Sequence, residues 1–538
     1  MNTKANFAGD MTRRGFVAGA AALTAGSVAA GFASTSALAD SAAKDGSASS
    51  AKSYLDREPL GEPTKTIQAD LCICGAGGCG MACAIDATDA GLNVVVLEKM
   101  AQAGGSFGFS EVTFAVESHL EKEAGYTHTV TEIVNKCLDY HHYIPSHELY
   151  TTFFNNTANT IEWMENLGCE FDGFLFEMGH FYKGDVVKGA GFDIVEHLQK
   201  AVEDRGVDIM FETSAKELVM DGGKAAGVLA QDKDGNVIKI EAPAVLLATG
   251  GWSNNKDMLR QLGGVDPERV TASGFTGRDG DGIIMAQNAG AVMARGEGTI
   301  MFYGPLMPGA NWGDQLWGGT EQPTLWVNQD GKRFMNEGMH DLMFLGAAIR
   351  DQKRMFVIQS QADIDRWVNE GCWINGGSHV PANQPLDKFQ DMLQGEIDAA
   401  NEYLFVADTI EELADKMGVD AEVFKATVDR YNELVAAGAD DDFQKDAAYL
   451  APIEQGPFYA FESFDAFYTT VGGLKVTPQV EVLDANGDPI PGLFAGGCDA
   501  GGLYGDCYDL TVAPGSQSSW ALNSGRFAAQ SAKAYLGK

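Results

Sequence analysis

Residues 70–80 read Asp70-Leu71-Cys72-Ile73-Cys74-Gly75-Ala76-Gly77-Gly78-Cys79-Gly80, an apolar run that ends in a cluster of glycines. The run has the length and composition of a buried strand, and a helix-compatible stretch, Met81–Ala90, follows it. A second apolar run, Asn93–Leu97, ends in Glu98. Strand, Gly-x-Gly-x-x-Gly turn, helix, second strand and acidic end stand at the offsets of a dinucleotide-binding βαβ unit. In such a unit Gly75 makes the turn, Gly77 lets the backbone approach a pyrophosphate, and Gly80 lets helix and strand pack closely. Ala76 lies inside the same turn and belongs to the cofactor-binding candidates. Free N–H groups at the start of the helix face the pyrophosphate, and Glu98 accepts from ribose hydroxyls.

Three further segments point to FAD rather than NAD. Ala103-Gly104-Gly105-Ser106 is a second glycine turn, and Val245-Leu246-Leu247-Ala248-Thr249-Gly250-Gly251 is an apolar strand that ends in glycines. Gly492-Leu493-Phe494-Ala495-Gly496-Gly497-Cys498-Asp499 repeats that design with an acidic group beside it. Asp279-Gly280-Asp281-Gly282-Ile283, the stretch Val327–Glu337 and Thr470-Val471-Gly472-Gly473-Leu474 complete the set. In this order the segments resemble the FAD-binding flavoprotein of the fumarate reductase and succinate dehydrogenase superfamily, which includes 3-ketosteroid dehydrogenases and urocanate reductase. The resemblance runs from about residue 67 to the end. It implies an α/β fold, a Rossmann-like FAD-binding domain with an inserted α+β capping domain. It also implies that Gly104, Gly105 and Ser106 meet the pyrophosphate and flavin and that Ala215 lies by the adenine. Asp281 and Asp499 would touch the ribityl and phosphate region, Gly250 would join the wall, and Ser516 would open the last helix toward the flavin ring. Members that attach FAD covalently use a His in the turn that here reads Gly104-Gly105-Ser106-Phe107, so non-covalent FAD is expected.

At the reacting end the chain departs from the fumarate branch, where arginines clamp two carboxylates and a further Arg delivers the proton. Tyr508, in Gly505-Asp506-Cys507-Tyr508-Asp509, stands where that branch has a substrate-binding Arg, closer to the ketosteroid branch in which a Tyr hydroxyl polarises a ketone. Tyr468-Thr469 replaces a His, and Gly338-Met339-His340-Asp341 follows Glu337 where the proton-delivering Arg would be. His340 has the ordinary pKa for proton transfer near neutrality, or is a solvated loop residue. Asp341 shares its position, Glu321 could relay protons to it, Glu337, a catalytic candidate, is read as holding the loop by hydrogen bonds rather than reacting, and Arg333 as anchoring the same turn. Losing a clamp Arg costs a desolvated carboxylate roughly 2–5 kcal/mol, which demotes fumarate. Phe107, Phe109, Tyr303, Trp312, Trp317 and Trp326 are expected to line a flat aromatic pocket or to be core.

The chain has 538 residues, too many for a single core, and 65 glycines in short separate clusters that suit close backbone approach to a ligand. Its net charge of −37 repels phosphate backbones, so nucleic acid is excluded as a partner, whereas a basic redox protein would be attracted. The nine cysteines (72, 74, 79, 83, 137, 169, 372, 498 and 507) form no CxxC pair and read as structural, and no metal site is expected. Thr12-Arg13-Arg14-Gly15-Phe16-Val17, an apolar stretch to Phe32 and Ala37-Leu38-Ala39 form a twin-arginine export signal with its cleavage site. The expected divisions are a signal peptide over 1–39, a linker over 40–65, the FAD-binding domain over 66–294 and 456–538, and the capping domain over 295–455. The expected function is reduction of an activated C=C bond, in an enone or acrylate-like small molecule, on the periplasmic side or outer face of the cytoplasmic membrane. A separate redox partner, a c-type cytochrome or a membrane quinol oxidase, would supply electrons. The alternatives are a 3-ketosteroid-type dehydrogenase passing electrons outward and a flavin electron carrier.

Overall fold

The computed structural model describes residues 53–184, 190–273, 276–295, 298–311, 313–338, 342–376 and 380–538. The expected signal peptide, most of the expected linker, Trp312, His340 and Asp341 lie outside the described residues.

The apolar run of the fingerprint is strand β1 (Leu71–Cys74), with all four side chains buried, as a strand covered on both faces requires. Helix α1 (Gly78–Asp89) follows, then β2 (Val94–Leu97), β3 (Ile209–Met210) and β4 (Ala244–Leu247). β5 (Glu481–Leu483), β6 (Pro489–Ala495) and the long helix α2 (Ser516–Leu536) complete the unit from the far end of the chain. The six strands form one sheet in the order β5-β6-β4-β1-β2-β3. All neighbours are parallel except β5 and β6. The register sets Leu71 beside Val94 and Ala244, and Leu247 beside Ala495, so the ends of β1, β4 and β6 open at one edge. Ligands of open α/β sheets bind at that edge.

α1 and α2 cross so closely that a Cβ on Gly525 would lie 2.1 Å from the Cys79 carbonyl oxygen. Only glycine allows that approach.

A second layer is built from antiparallel strands, Leu325–Asn328, Met355–Ser360, Phe458–Glu462 and Leu404–Ala407 in spatial order, packed on helices Ile410–Met417 and Ala421–Ala437 over a separate apolar cluster. Strand Phe458–Glu462 belongs to this sheet although it follows residue 455, and Phe464–Thr470 pairs with both Val270–Ala272 and Ile300–Leu306. The hydrogen-bonded ladders therefore cross the divisions expected at 294/295 and 455/456.

The part of the expected linker that is described is tied down. Tyr54 donates to Gln287 at 3.0 Å, Leu60 N donates to Glu217 at 2.8 Å, and Asn288 donates to the Leu55 carbonyl at 3.3 Å. Side-chain anchors spaced irregularly leave no periodicity for a sequence pattern to show. Among the described residues no helix is long and apolar enough to cross a membrane.

Candidate functional site: a glycine-walled groove

Gly75 takes φ +112°, and a Cβ there would lie 2.2 Å from the Ala248 carbonyl oxygen, so the turn after β1 can only be glycine. A Cβ on Gly80 would meet the Gly75 oxygen at 1.8 Å, which is the close strand–helix packing expected of it. Gly77 is the N-cap of α1 and supplies no side-chain cap, leaving the first N–H groups of the helix to whatever lies in front of them. Gly104 pairs with Gly77 as an isolated bridge, and its N–H bonds the Ala76 carbonyl at 2.9 Å, holding the second glycine turn against the first.

Around these turns runs a groove, partly open to solvent. Gly75, Gly77, Gly104, Gly105, Ser106 and Gly250 form much of its wall, and Glu98, Ala215 and Asp281 line it toward β2. Ala76 and Gly80 stand behind the wall, Ala76 N donating to Glu98 Oε2 at 2.8 Å. The other Glu98 oxygen accepts from Met100 N at 2.8 Å. Burial raises the Glu98 carboxyl, opposed by those two amides. Asp281 is gripped by Lys99 (2.8 Å), Arg57 (3.6 Å) and Lys216 (3.8 Å).

Asp499 does not line the groove. It is fully buried behind the wall, where its carboxylate accepts from Thr249 N at 2.6 Å, Thr249 Oγ1 at 2.8 Å and Gly251 N at 2.9 Å, so it holds the turn after β4 in place. Ser516 is also fully buried, donating to Asp509 Oδ1 at 2.6 Å.

Three polar atoms test whether an FAD would fit. Ser106 Oγ, Ser214 Oγ and Arg278 Nε belong to groove-lining residues, are buried, and have no hydrogen-bond partner among the described residues. A buried donor without a partner costs about 1–3 kcal/mol, so groups of this kind in a groove wall mark a polar ligand's place. The groove thus offers free helix amides to a pyrophosphate, an acid to a ribose and side-chain donors along its length.

At the far end, Tyr508 lies under the first turn of α2, its hydroxyl accepting from Gln517 N at 3.4 Å. Gln517 in turn donates to Sγ of Cys498, a groove-wall residue, at 3.2 Å. Burial pushes the Tyr508 phenol well above its usual value, so it stays a proton donor. Tyr504 packs beside it with ring centroids 5.5 Å apart and bonds Ser516 Oγ at 3.0 Å. The Tyr468 hydroxyl donates to the Phe109 carbonyl at 2.9 Å, and Tyr303 stands between Tyr468 and Trp317, with centroids at 6.3 and 5.9 Å. Phe107 lines the groove. Trp326 is core, its indole bonded to the Gln322 carbonyl.

Glu321 caps the C-terminus of helix Gln315–Thr320 and is buried with neither carboxylate oxygen bonded among the described residues. Burial alone drives its carboxyl far above the ordinary range, so it is neutral. Glu337 is committed elsewhere: Oε1 accepts from Trp326 N and Arg333 Nε, and Oε2 accepts from Arg333 at 2.7 Å with Lys445 Nζ 3.7 Å away. Arg333 also pairs with Asp440 at 2.8 Å. This corrects the catalytic option for Glu337, because a carboxylate whose oxygens neutralise a buried Arg is not available for proton transfer. Tyr504, Ser214 and Arg278 were not singled out in the sequence, although Tyr504 stands four residues before Tyr508 and Arg278 directly precedes the Asp279–Ile283 motif. All nine cysteines are free thiols.

Comparison with known proteins agrees with this geometry. The model of the FAD binding domain family matches residues 70–511. A vinyl phenol reductase of Lactiplantibacillus plantarum is 33% identical over 476 residues, covering 86% of this chain and 96% of that protein. A urocanate reductase of Eggerthella lenta is 29% identical, covering 82% of this chain and 71% of that protein. Among solved structures, a flavocytochrome c3 fumarate reductase in its open conformation superposes with a TM-score of 0.69 at 24% identity, covering 87% of this chain and 79% of that one. At that identity the likeness speaks to fold alone. The glycine-walled groove, its unpartnered donors and a family match spanning most of the sequence lead to one statement: the chain belongs to the FAD binding domain family and is an FAD-dependent oxidoreductase acting on carbon–carbon bonds.

Proposed function

We propose that the protein is an exported reductase of an activated C=C bond in an aromatic or enone-type molecule, fed with electrons by a separate redox protein. The observation that carries this reading is Tyr508, a buried phenol kept protonated at the amide-rich N-terminus of α2, beside Cys498 of the groove wall. The 33% identical vinyl phenol reductase supports a substrate whose double bond is conjugated to an oxygen-bearing ring.

FAD, when bound, supplies the hydride. The turns at Gly75 and Gly104 let the backbone pass close to the phosphates, which meet the free N–H groups at the start of α1, while Glu98 and Ala215 hold the adenosine end. The hydroxyl of Tyr508 hydrogen-bonds the substrate oxygen, so that charge developing there meets a donor already in place. Tyr303, Trp317 and Tyr468 form an apolar flank suited to a planar ring. Glu321, neutral and buried, holds a proton on the capping side. Arg278 does not act as a carboxylate clamp, because two of its nitrogens are engaged by the carbonyls of Tyr468 (2.6 Å) and Ser273 (2.9 Å). This supports an uncharged substrate over fumarate. No His stands in the Gly104–Phe107 turn, which favours FAD held without a covalent bond. The twin-arginine pattern favours export of the folded, loaded protein.

The deciding assay is anaerobic oxidation of reduced viologen by the mature, FAD-loaded protein with vinylphenols, cinnamates, enones, urocanate and fumarate. Aryl alkenes or enones should turn over at least tenfold faster than fumarate. A preference for fumarate would overturn the substrate class. Faster dye-linked oxidation of a saturated ketone would favour the reverse, dehydrogenase direction.

A further inference from the structure

The groove wall holds a buried cation that the reaction outlined above does not use. Arg278, 4% exposed, directly precedes the Asp279–Ile283 motif. A Cβ on its neighbour Gly277 would lie 2.9 Å from Met100 Sδ, so the residue starts beside the Glu98 end of the groove. Its side chain then runs along the wall, with Cγ 3.6 Å from where a Cβ on Gly250 would stand. The guanidinium ends at the carbonyls of Tyr468 and Ser273, donating to them at 2.6 and 2.9 Å. Tyr468 belongs to the segment read above as the reacting end. Burial raises the thiol of Cys498, another groove-wall residue, and the charge of Arg278 works against that rise, so the guanidinium is within electrostatic reach of it.

The fold leaves this charge uncancelled. Among the described residues no carboxylate lies within ion-pair distance of Arg278, and its Nε has no hydrogen-bond partner. Asp279, a carboxylate whose charge reaches it, is taken by Lys99 at 2.6 Å. Burial pulls the guanidinium below its ordinary value, yet an arginine stays protonated across the working pH range. Arg333, buried to a similar degree, is neutralised by Glu337 and Asp440 at 2.7 and 2.8 Å. Two carbonyls can be stapled by neutral donors. Holding them with a cation out of water is costly unless something negative comes to meet it.

We propose that Arg278 sets the reduction potential of the bound flavin, its uncancelled charge at Tyr468 and Cys498 stabilising the negative charge that the ring gains on reduction. Two electrons from an external donor and one proton from water leave the ring with one net negative charge. A cation fixed in a water-poor wall favours that state and so raises the potential. No bond to Arg278 forms or breaks. Its two carbonyl bonds hold the guanidinium in place beforehand, so little has to reorganise when the electrons arrive. The pyrophosphate has its own partners at the start of α1, away from the Tyr468 carbonyl. The inference needs the FAD assignment alone and holds in whichever direction the enzyme runs.

The test is made anaerobically on the FAD-loaded protein, equilibrated with redox dyes of known potential and with no alkene present. Arg278→Gln, which can keep a carbonyl bond but not the charge, should lower the ratio of reduced to oxidised flavin at a fixed potential at least tenfold. That is a fall of about 30 mV for a two-electron couple. Arg278→Lys, which keeps the charge, should stay within about threefold of the parent. Sulfite is an independent probe, because its addition to the oxidised ring leaves the same negative charge there. It should bind the parent at least tenfold more tightly than it binds free FAD, and Arg278→Gln should lose most of that gain. Where Arg278→Gln does not retain FAD, Arg278→Lys and the parent's sulfite affinity decide. The role is overturned if Arg278→Gln keeps the parent's potential and sulfite affinity, or if Arg278→Lys falls as far as Arg278→Gln. It is equally overturned if the parent binds sulfite no better than free FAD does. Failure of the parent to take up FAD overturns the cofactor assignment and this role with it.

Discussion

His180 is fully buried, its Nδ1 donating to the Met178 carbonyl at 2.9 Å and its Nε2 accepting from Ser118 Oγ at 2.8 Å. Burial lowers its pKa from 6.5 to about 4. The folded protein therefore binds fewer protons here than the unfolded chain between those values. The stability His180 contributes is complete above pH 6.5 and is lost as pH falls toward 4, by about 3 kcal/mol in all. Melting temperature measured from pH 8 to 4.5 should fall less steeply for His180→Gln than for the parent. Parallel curves would contradict the assignment. At this scale, sequence reading found the residues whose chemistry is tied to a motif, such as Gly75, Gly104 and Glu98. It placed Tyr508 by position but could not see Tyr504, whose hydroxyl meets Ser516, twelve residues away in sequence and 3.0 Å away in space. The twin faces of Glu337 and Asp499 show the converse. Both were chosen as acids near the site, yet folding turns their oxygens onto Arg333 and onto the amides of Thr249 and Gly251.

Among the elements, the crossing of α1 and α2 sets the pyrophosphate end of the groove, because α1 carries the free amides and α2 presses it against the sheet. Gly525→Ala would drive a Cβ to 2.1 Å from the Cys79 carbonyl and force the helices apart. A cost of about 1–3 kcal/mol is expected, with a lower melting temperature and faster loss of FAD on dilution. Unchanged flavin retention would mean that the crossing does not govern the groove. The strands and helices themselves were largely legible. Asp70–Cys74 gave β1, the helix-compatible stretch Met81–Ala90 falls on α1, and the last helix begins at Ser516, as the resemblance implies. Harder to read were pairings between distant strands, as in Phe464–Thr470 bridging Val270–Ala272 and Ile300–Leu306, since a strand's partner is not encoded in its own alternation.

For the molecule as a whole, residues 54–538 form one compact unit around a groove that is complete only when both ends of the sequence meet. Its wall includes Glu98 and Ala215 as well as Gly104, Gly105 and Ser106, so protein stripped of cofactor should regain its melting temperature with FAD and not with FMN. Ligand at a hundredfold its Kd adds about 2.7 kcal/mol. Equal recovery with FMN would argue against the adenosine end assigned to Glu98 and Ala215. Sequence alone determined the cofactor class and the order of the FAD-binding segments. Those follow from local rules, in which glycine permits a backbone path and an apolar run must be buried wherever it occurs. Only the tertiary structure decided which acids face the groove and which staple its wall, that residues 54–60 are anchored, and that Tyr504, Ser516, Asp509 and His141 lie together in one buried cluster. Those outcomes depend on side chains far apart in sequence competing for the same few buried partners, and only the closed fold fixes how that competition ends.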